Sequence, residues 1–406
     1  MVKKRKKLIF FILMWCGIIG VFITSVLSSG KTINNLLFCQ ENQTFMDFFE
    51  CIVYGRHPYE VNGSYPPLAF LIFAIFGRLI PLETRMRGGY AVRESQMGMF
   101  SVGIFLAVSF FLIQNLINKY YRGKLWEKNF FLVTFILSTP MLFLIERANI
   151  VFLVVPAVAY FIFNYDSEII YKRHFAYICL SIAAGIKIYP AVLGLLVVQR
   201  RKAKEICLCL VYGIIIFFAA FIFFDGIFGI TGFWNNLVNS LQVIGGELGY
   251  GYKINITNTF SWIGKIFGDE IFFSKLGNIV YCMVIVLGVV ITLFGKFKQK
   301  WKRWMIPILL MLLLPGFSFI YSLTFLVIPL IGFFNEKQSR GDNFYAVLYA
   351  LSFIPIIVEK KAFLKVFEQD YYLLNYSTVI ESVAILIFIF SLFFEGGYAL
   401  YKNRNE

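Results

Sequence analysis

The stretch Thr44-Phe45-Met46-Asp47-Phe48-Phe49-Glu50-Cys51 places two carboxylates three residues apart, so on a helix Asp47 and Glu50 share a face. A carboxylate set where a polar loop re-enters an apolar surface can serve as a general base. The same spacing fits a capping box, with Thr44 at the N-cap and Asp47 at the third helical position. Lys187 is the sharper signal. It stands in the middle of the apolar run 176–199, two residues before Tyr189-Pro190, where an ammonium is costly to hold in lipid. Pro190 breaks the helix and frees backbone carbonyls, which persist at membrane depth where they line a cavity. An ammonium in such a cavity suits a phosphate or pyrophosphate; the alternative is a snorkelling lysine, with little reach from so deep a position.

Three further clusters carry weaker signals. Glu146-Arg147-Ala148-Asn149 lies between two short apolar runs, and Glu146 can simply neutralise Arg147. Tyr65-Pro66-Pro67-Leu68 reads as a helix start, predicting a surface helix over 66–80; before it stands His57-Pro58-Tyr59. The segment 225–276 offers Asp225, Trp234, Asn235, Asn236, Asn239, Glu247, Tyr250, Tyr252, Lys253 and Trp262. Aromatic and amide groups suit a sugar ring, and equally form an interfacial belt. Pro315, Ser318 and Tyr321 mark another break in an apolar run.

The elements that must position these residues are membrane helices. Of 406 residues 59% are apolar, 15% are charged and 48 are Phe, with a mean hydropathy of +0.74. Such a chain cannot keep a water-facing surface, which excludes a soluble enzyme. Apolar runs fall at Leu8–Leu27, 66–82, 97–117, 130–145, 150–164, 176–199, 206–224, 277–295, 304–333, 344–358 and 376–398. We thread 66–82 on the outer face and let 176–199 and 304–333 each enter part-way and return. The pieces on the N-terminal side then hold 24 Lys and Arg against 8 Asp and Glu, and the rest of the chain 14 against 15. By the positive-inside tendency the N-terminus is cytoplasmic. The net charge of +15 is thus a topology signal and calls for no nucleic-acid partner. Segments 28–96 and 225–276 become long external loops of one integral membrane domain, 1–406, and long loops on one face of a bundle suggest chemistry there.

Five of the seven cysteines lie in apolar runs; Cys39 and Cys51 share a polar loop and can pair in an oxidising compartment. Four Asn-x-Ser/Thr sequons (Asn42, Asn62, Asn255, Asn375) fall outside, with meaning only in a eukaryotic secretory pathway. No spacing of Cys, His, Asp or Glu suggests a metal site.

In order along the chain, Met46-Asp47, Pro58-Tyr59 with Tyr65-Pro66-Pro67-Leu68, Arg147-Ala148-Asn149, Lys187-Ile188-Tyr189-Pro190 and Pro315-Gly316-Phe317-Ser318 resemble the GT-C superfamily of polyprenyl-phosphate-sugar-dependent glycosyltransferases. Two branches are similar: glycosyltransferase family 87 and the first mannosyltransferase of the glycosylphosphatidylinositol pathway. The chain departs from them in having Phe45 two residues before Asp47, so no Asp-x-Asp, and Ala148 where glycine is usual.

The resemblance implies an all-α polytopic membrane protein, a GT-C-like bundle of about 8–12 transmembrane or half-membrane helices with surface helices on the external loops. It implies transfer of a sugar, mannose by preference, from a polyprenyl phosphate to a lipid- or glycan-linked acceptor, at the plasma membrane of a bacterium or the endoplasmic reticulum of a eukaryote. Asp47 would be the base, and Lys187 with Arg147 would hold the donor phosphate. Glu50, Tyr65, Asn149, Tyr189 and Ser318 would bind substrate, without cofactor or metal. A lipid-linked-sugar flippase and a polysaccharide polymerase are the competing classes.

Overall fold

The computed structural model describes residues 5–30, 43–55, 57–245, 252–316, 318–356 and 376–404. Its regular elements are helical, in the order α1 (Arg5–Leu27), α2 (Met46–Val53), α3 (Pro67–Gly77), α4 (Leu82–Met86), α5 (Gly89–Glu94), α6 (Gln96–Tyr120), α7 (Leu125–Ile136), α8 (Thr139–Arg147), α9 (Val151–Asn164) and α10 (Ile170–Ile186). There follow α11 (Leu195–Gln199), α12 (Ala203–Ala219), α13 (Gly226–Gly245), α14 (Ile256–Phe267), α15 (Glu270–Phe294), α16 (Lys300–Leu313), α17 (Val327–Asn335), α18 (Asp342–Leu351) and α19 (Tyr376–Arg404).

Among the described residues five helices are long and apolar enough to cross a membrane: α1, α6, α12 with its 3-10 extension to Phe223, α15, and α19 over Thr378–Lys402. The run 130–145 is not one straight span. It breaks after Ile136, and α7 and α8 meet there at 66°, which makes a sixth span if the bent pair is counted as one. Pro140 in the first turn of α8 marks the new helix start. The breaks expected near Lys187 and Pro315 are present: α10 gives way to a 3-10 turn over Tyr189–Gly194, and α16 is followed by another over Ile320–Leu326. At 11 residues α3 is about 16 Å long, too short to cross. The segments 28–96 and 225–276 contain α2 to α5 and α13 to α14.

The chain divides into two compact units. One comprises Met1–Phe38, Ile117–Phe143 and Glu247–Glu406. In it α16 beyond Arg303 and α17 are apolar all round and buried along nearly their whole length, as an inner helix must be. Trp301 packs against Phe333, Tyr345, Tyr349 and Phe388, with ring centroids 5.0 to 6.2 Å away. Ion pairs join distant segments of this unit: a buried one from Lys6 Nζ to Asp342 Oδ2 at 3.0 Å, and a half-buried one from Lys302 Nζ to Glu395 Oε2 at 2.5 Å.

The other unit comprises Cys39–Leu116 and Leu144–Gly246. Here α10 packs between α9 and α12 and also meets α3. Tyr59 inserts among Phe70, Phe221 and Phe233 at 5.6 to 5.8 Å, and its hydroxyl donates to the Tyr65 carbonyl at 3.2 Å. The turn between them closes through Gly63 N–H to the Pro58 carbonyl, so near that a Cβ on Gly63 would lie 2.5 Å from that oxygen. Asn236 of α13 clips the loop, its Nδ2 donating to the Tyr59 and Gly63 carbonyls at 2.8 and 3.2 Å.

Candidate active site

Helix α2 forms because Met46, Phe48, Phe49, Cys51 and Ile52 give it an apolar side to bury. Phe48 and Phe49 are fully enclosed, so either Phe→Ala change costs about 3–5 kcal/mol. Asp47 and Glu50 lie off that side. The capping-box alternative for this stretch is not what is found. Phe45 holds the N-cap position at φ 62° with no side-chain cap, and its N–H donates to the Glu146 carbonyl at 2.7 Å.

That carbonyl belongs to the last turn of α8, which ends in a Schellman motif. Ala148 N–H donates to the Ile145 carbonyl at 2.9 Å and Asn149 N–H to the Leu144 carbonyl at 3.4 Å. The motif demands a left-handed residue after Arg147, and Ala148 supplies it at φ 45°. For a residue with a Cβ this costs roughly 1–2 kcal/mol, which explains why glycine suits the position better. Phe45 and Ala148 are thus two left-handed non-glycine residues flanking one contact, and such strain gathers at functional sites.

The contact joins Asp47 to Arg147. Arg147 Nε donates to Asp47 Oδ1 at 2.9 Å, Nη2 reaches the same oxygen, and Nη1 donates to the Gln43 carbonyl at 3.2 Å. Asn149 Nδ2 donates to Asp47 Oδ2 at 2.5 Å and to the Tyr65 hydroxyl at 3.2 Å. Its Oδ1 accepts from Val151 N–H at 3.1 Å, which fixes which way the amide faces. The side chains of Asp47 and Arg147 are 14% and 17% exposed, and Asn149 is fully buried.

Lys187 follows the last residue of α10 in extended backbone, at φ −139° and ψ 130°. Its Nζ lies 3.8 Å from the centroid of the Tyr65 ring, a cation–π contact. The residue is 6% exposed, and among the described residues no carboxylate or carbonyl pairs with its Nζ. An ammonium buried in this way, with no anion in direct contact, is costly to hold. Asp47, Arg147, Asn149, Tyr65 and Lys187, spread over 140 positions of sequence, are therefore one connected group.

Glu50 sits one turn beyond Asp47. Desolvation first, and the Asp47 charge second, push its carboxyl above the usual range, with Arg147 opposing. Tyr189 opens the 3-10 turn after Lys187 and is half-buried. Ser318 belongs to the other unit, where its carbonyl accepts from Ile254 N–H at 2.9 Å and Lys253 forms a β-bridge to Phe319. In that unit Asn255 caps α14, and its Nδ2 donates to the Gly316 carbonyl at 2.7 Å. Gln43 as an Arg147 partner could not be read from residue types, because a backbone carbonyl leaves no mark on them. Cys51 is buried, and its pairing with Cys39 lies outside the described residues. One group able to hold a metal ion is His57, Glu60 and Asp225, with ligand atoms within 4.8 Å of one another, all three residues exposed.

No curated protein and no solved structure matches the chain. The model of glycosyltransferase family 87 matches residues 64–322, starting just before α3 and taking in Tyr65, Arg147, Asn149, Lys187, Tyr189 and Ser318. Asp47 and Glu50 precede it. Because the match covers more than half of the chain and all of the connected group except Asp47, this multi-span membrane protein belongs to glycosyltransferase family 87.

Proposed function

We propose that the chain is an inverting glycosyltransferase that moves a hexose, mannose by the resemblance of its motifs, from a polyprenyl phosphate to a lipid- or glycan-linked acceptor. The observation that carries this reading is the assembly of a held carboxylate, Asp47, and a buried ammonium with no anion in hydrogen-bond contact, Lys187, in one group joined by hydrogen bonds and a cation–π contact.

Asp47 Oδ1 accepts two N–H groups of Arg147, whereas Oδ2 accepts from Asn149 and retains a lone pair for the incoming hydroxyl. Asp47 takes the proton of the acceptor hydroxyl as that oxygen bonds to the anomeric carbon. The bond from that carbon to the phosphate oxygen breaks on the opposite face, so the anomeric centre inverts. Lys187 receives the charge that grows on the departing phosphate, and electrostatic stabilisation of this kind contributes most to such a step. Arg147 orients the base and is the nearest second cation for the phosphate. A monophosphate leaving group already carries charge that these side chains hold, so the reaction as drawn uses no metal. The excess of basic residues on the N-terminal side supports a cytoplasmic N-terminus and a site on the extracytoplasmic face.

Purified protein in nanodiscs, given a panel of polyprenyl-phosphate sugars in the presence of a chelator, tests the reading. Wild type consumes one donor, Asp47→Ala does not, and Lys187→Met loses turnover while keeping its thermal stability. If wild type consumes no donor, or if Asp47→Ala matches wild type, the proposal is wrong.

A further inference from the structure

His57 and Asp225 stand out in the sequence, yet neither takes part in the group around Asp47. With Glu60 they form a cluster of their own, in the same compact unit. The His57 carbonyl accepts from Glu60 N–H at 3.2 Å, and this turn brings the Glu60 carboxylate back beside the ring. Asp225 arrives from far along the chain, at the junction between a 3-10 turn over Ala220–Phe223 and α13. Both carboxylates approach the same ring nitrogen. Asp225 Oδ2 lies 3.0 Å from His57 Nδ1, and Glu60 Oε1 lies 3.6 Å from it.

An imidazole nitrogen carries at most one hydrogen. Asp225 is placed to accept it, and at 3.6 Å Glu60 is too far away for a hydrogen bond. Two carboxylates therefore converge on a nitrogen that serves one of them. A divalent cation between the three groups serves them all. Metal–ligand bonds of about 2.1 Å at the tetrahedral angle set neighbouring ligand atoms about 3.4 Å apart, and the two observed separations straddle that spacing. All three ligand atoms lie within 4.8 Å of one another, so small side-chain rotations close the set. One imidazole with two carboxylates suits Zn²⁺ better than Ca²⁺ or Mg²⁺, which take oxygen ligands. The side chains are 36% to 72% exposed, which leaves a coordination position open to water.

We propose that His57, Glu60 and Asp225 form a binding site for a divalent transition-metal ion of the Zn²⁺ class. The ion staples the loop 57–65 to the start of α13. Further along, Asn236 of α13 already holds the same loop by its Tyr59 and Gly63 carbonyls. The loop ends at Tyr65, whose hydroxyl accepts from Asn149. The ion takes no part in the transfer step drawn above, and the site stands independently of the transferase reading.

The test titrates the metal-stripped full chain, in nanodiscs of zwitterionic lipid, with zinc chloride, followed by calorimetry and by amide hydrogen exchange. Wild type takes up one Zn²⁺ per chain, calcium and magnesium chlorides bind at least about tenfold more weakly, and exchange over 57–65 slows when zinc is bound. His57→Gln keeps a hydrogen-bond donor for Asp225 but no imidazole, and Asp225→Asn removes a charged ligand. Each weakens zinc binding by roughly tenfold or more, the least that even an outer-shell change costs a metal site. His174→Gln, at the other of the two histidines in the chain, binds zinc as wild type does. Exchange outside 57–65 matches wild type in all three variants, which shows that they are folded. X-ray absorption at the zinc edge finds nitrogen and oxygen neighbours without sulfur. The proposal is overturned if wild type takes up no stoichiometric zinc, if His57→Gln binds it as tightly, if the neighbours include sulfur, or if calcium binds equally well. Binding that leaves exchange over 57–65 unchanged would overturn the staple.

Discussion

Replacing Asn149 with aspartate keeps the side chain's size and turns its donor into an acceptor. The Asn149 amide donates to Asp47 Oδ2 at 2.5 Å, so the variant sets two carboxylates face to face in a fully buried position. With charge centres about 4 Å apart and an effective dielectric of about 20, they repel by about 4 kcal/mol before the neighbouring Arg147 charge offsets part of it. The pair therefore holds one shared proton to higher pH than a lone carboxylate would, and wild type has no second carboxylate to share it. Donor turnover of Asn149→Asp, followed from about pH 6 to 9, falls about tenfold at the acid end and recovers as the pH rises. Asn149→Ala is the control. It forfeits one hydrogen bond to the base, about 1 kcal/mol, and loses roughly fivefold in rate at every pH. An Asn149→Asp profile parallel to wild type across this range would refute the assignment of Asp47 as the base.

Ala148→Gly relieves the left-handed strain, about 1–2 kcal/mol, and gives back roughly 0.5–1 through the unfolded chain; a small rise in apparent melting temperature follows. Ala148→Val puts a β-branched residue at φ 45° and lowers both melting temperature and turnover, as Arg147 and Asn149 move; a glycine variant less stable than wild type would contradict this. Glu50 has its folded pKa above its unfolded one, so it costs stability increasingly as the pH rises from the ordinary carboxylate range through that raised value. Glu50→Gln therefore gains more over wild type at pH 7 than at pH 4 in thermal unfolding. An equal gap at both would show that the shift is absent.

The parts of the site written in local chemistry were readable in the sequence. Lys187 ahead of Pro190 announced a broken helix with a stranded charge, and a helix over α2 followed from its apolar spacing. Assembly was not readable. Nothing local says that Arg147 reaches Asp47 across 100 positions instead of pairing with its neighbour Glu146. The start of α2 was open to a cap by Thr44 because that is the local solution. The long-range bond from Phe45 N–H to the Glu146 carbonyl overrides it. The bend between α7 and α8 escaped a hydropathy reading, since both sides of the break are apolar, although Ser138-Thr139-Pro140 carries the composition of a helix start. In segment 225–276 Asn236 is spent on the Tyr59 loop, a use that its residue type does not distinguish from sugar binding.

The Val151 N–H bound to Asn149 Oδ1 has a consequence for substrate orientation. It forces both amide hydrogens of Asn149 toward Asp47 and Tyr65, so the Tyr65 oxygen is an acceptor in that bond and its own hydrogen points elsewhere. An atom arriving at Asp47 must bring a hydrogen, and an atom arriving between Lys187 and the Tyr65 hydroxyl must bring a lone pair. A sugar hydroxyl meets the first condition; a fully ionised phosphate oxygen meets only the second. In the proposed transfer, one backbone amide that touches neither substrate would thus sort the two ends of the reaction by polarity and set which way round they bind.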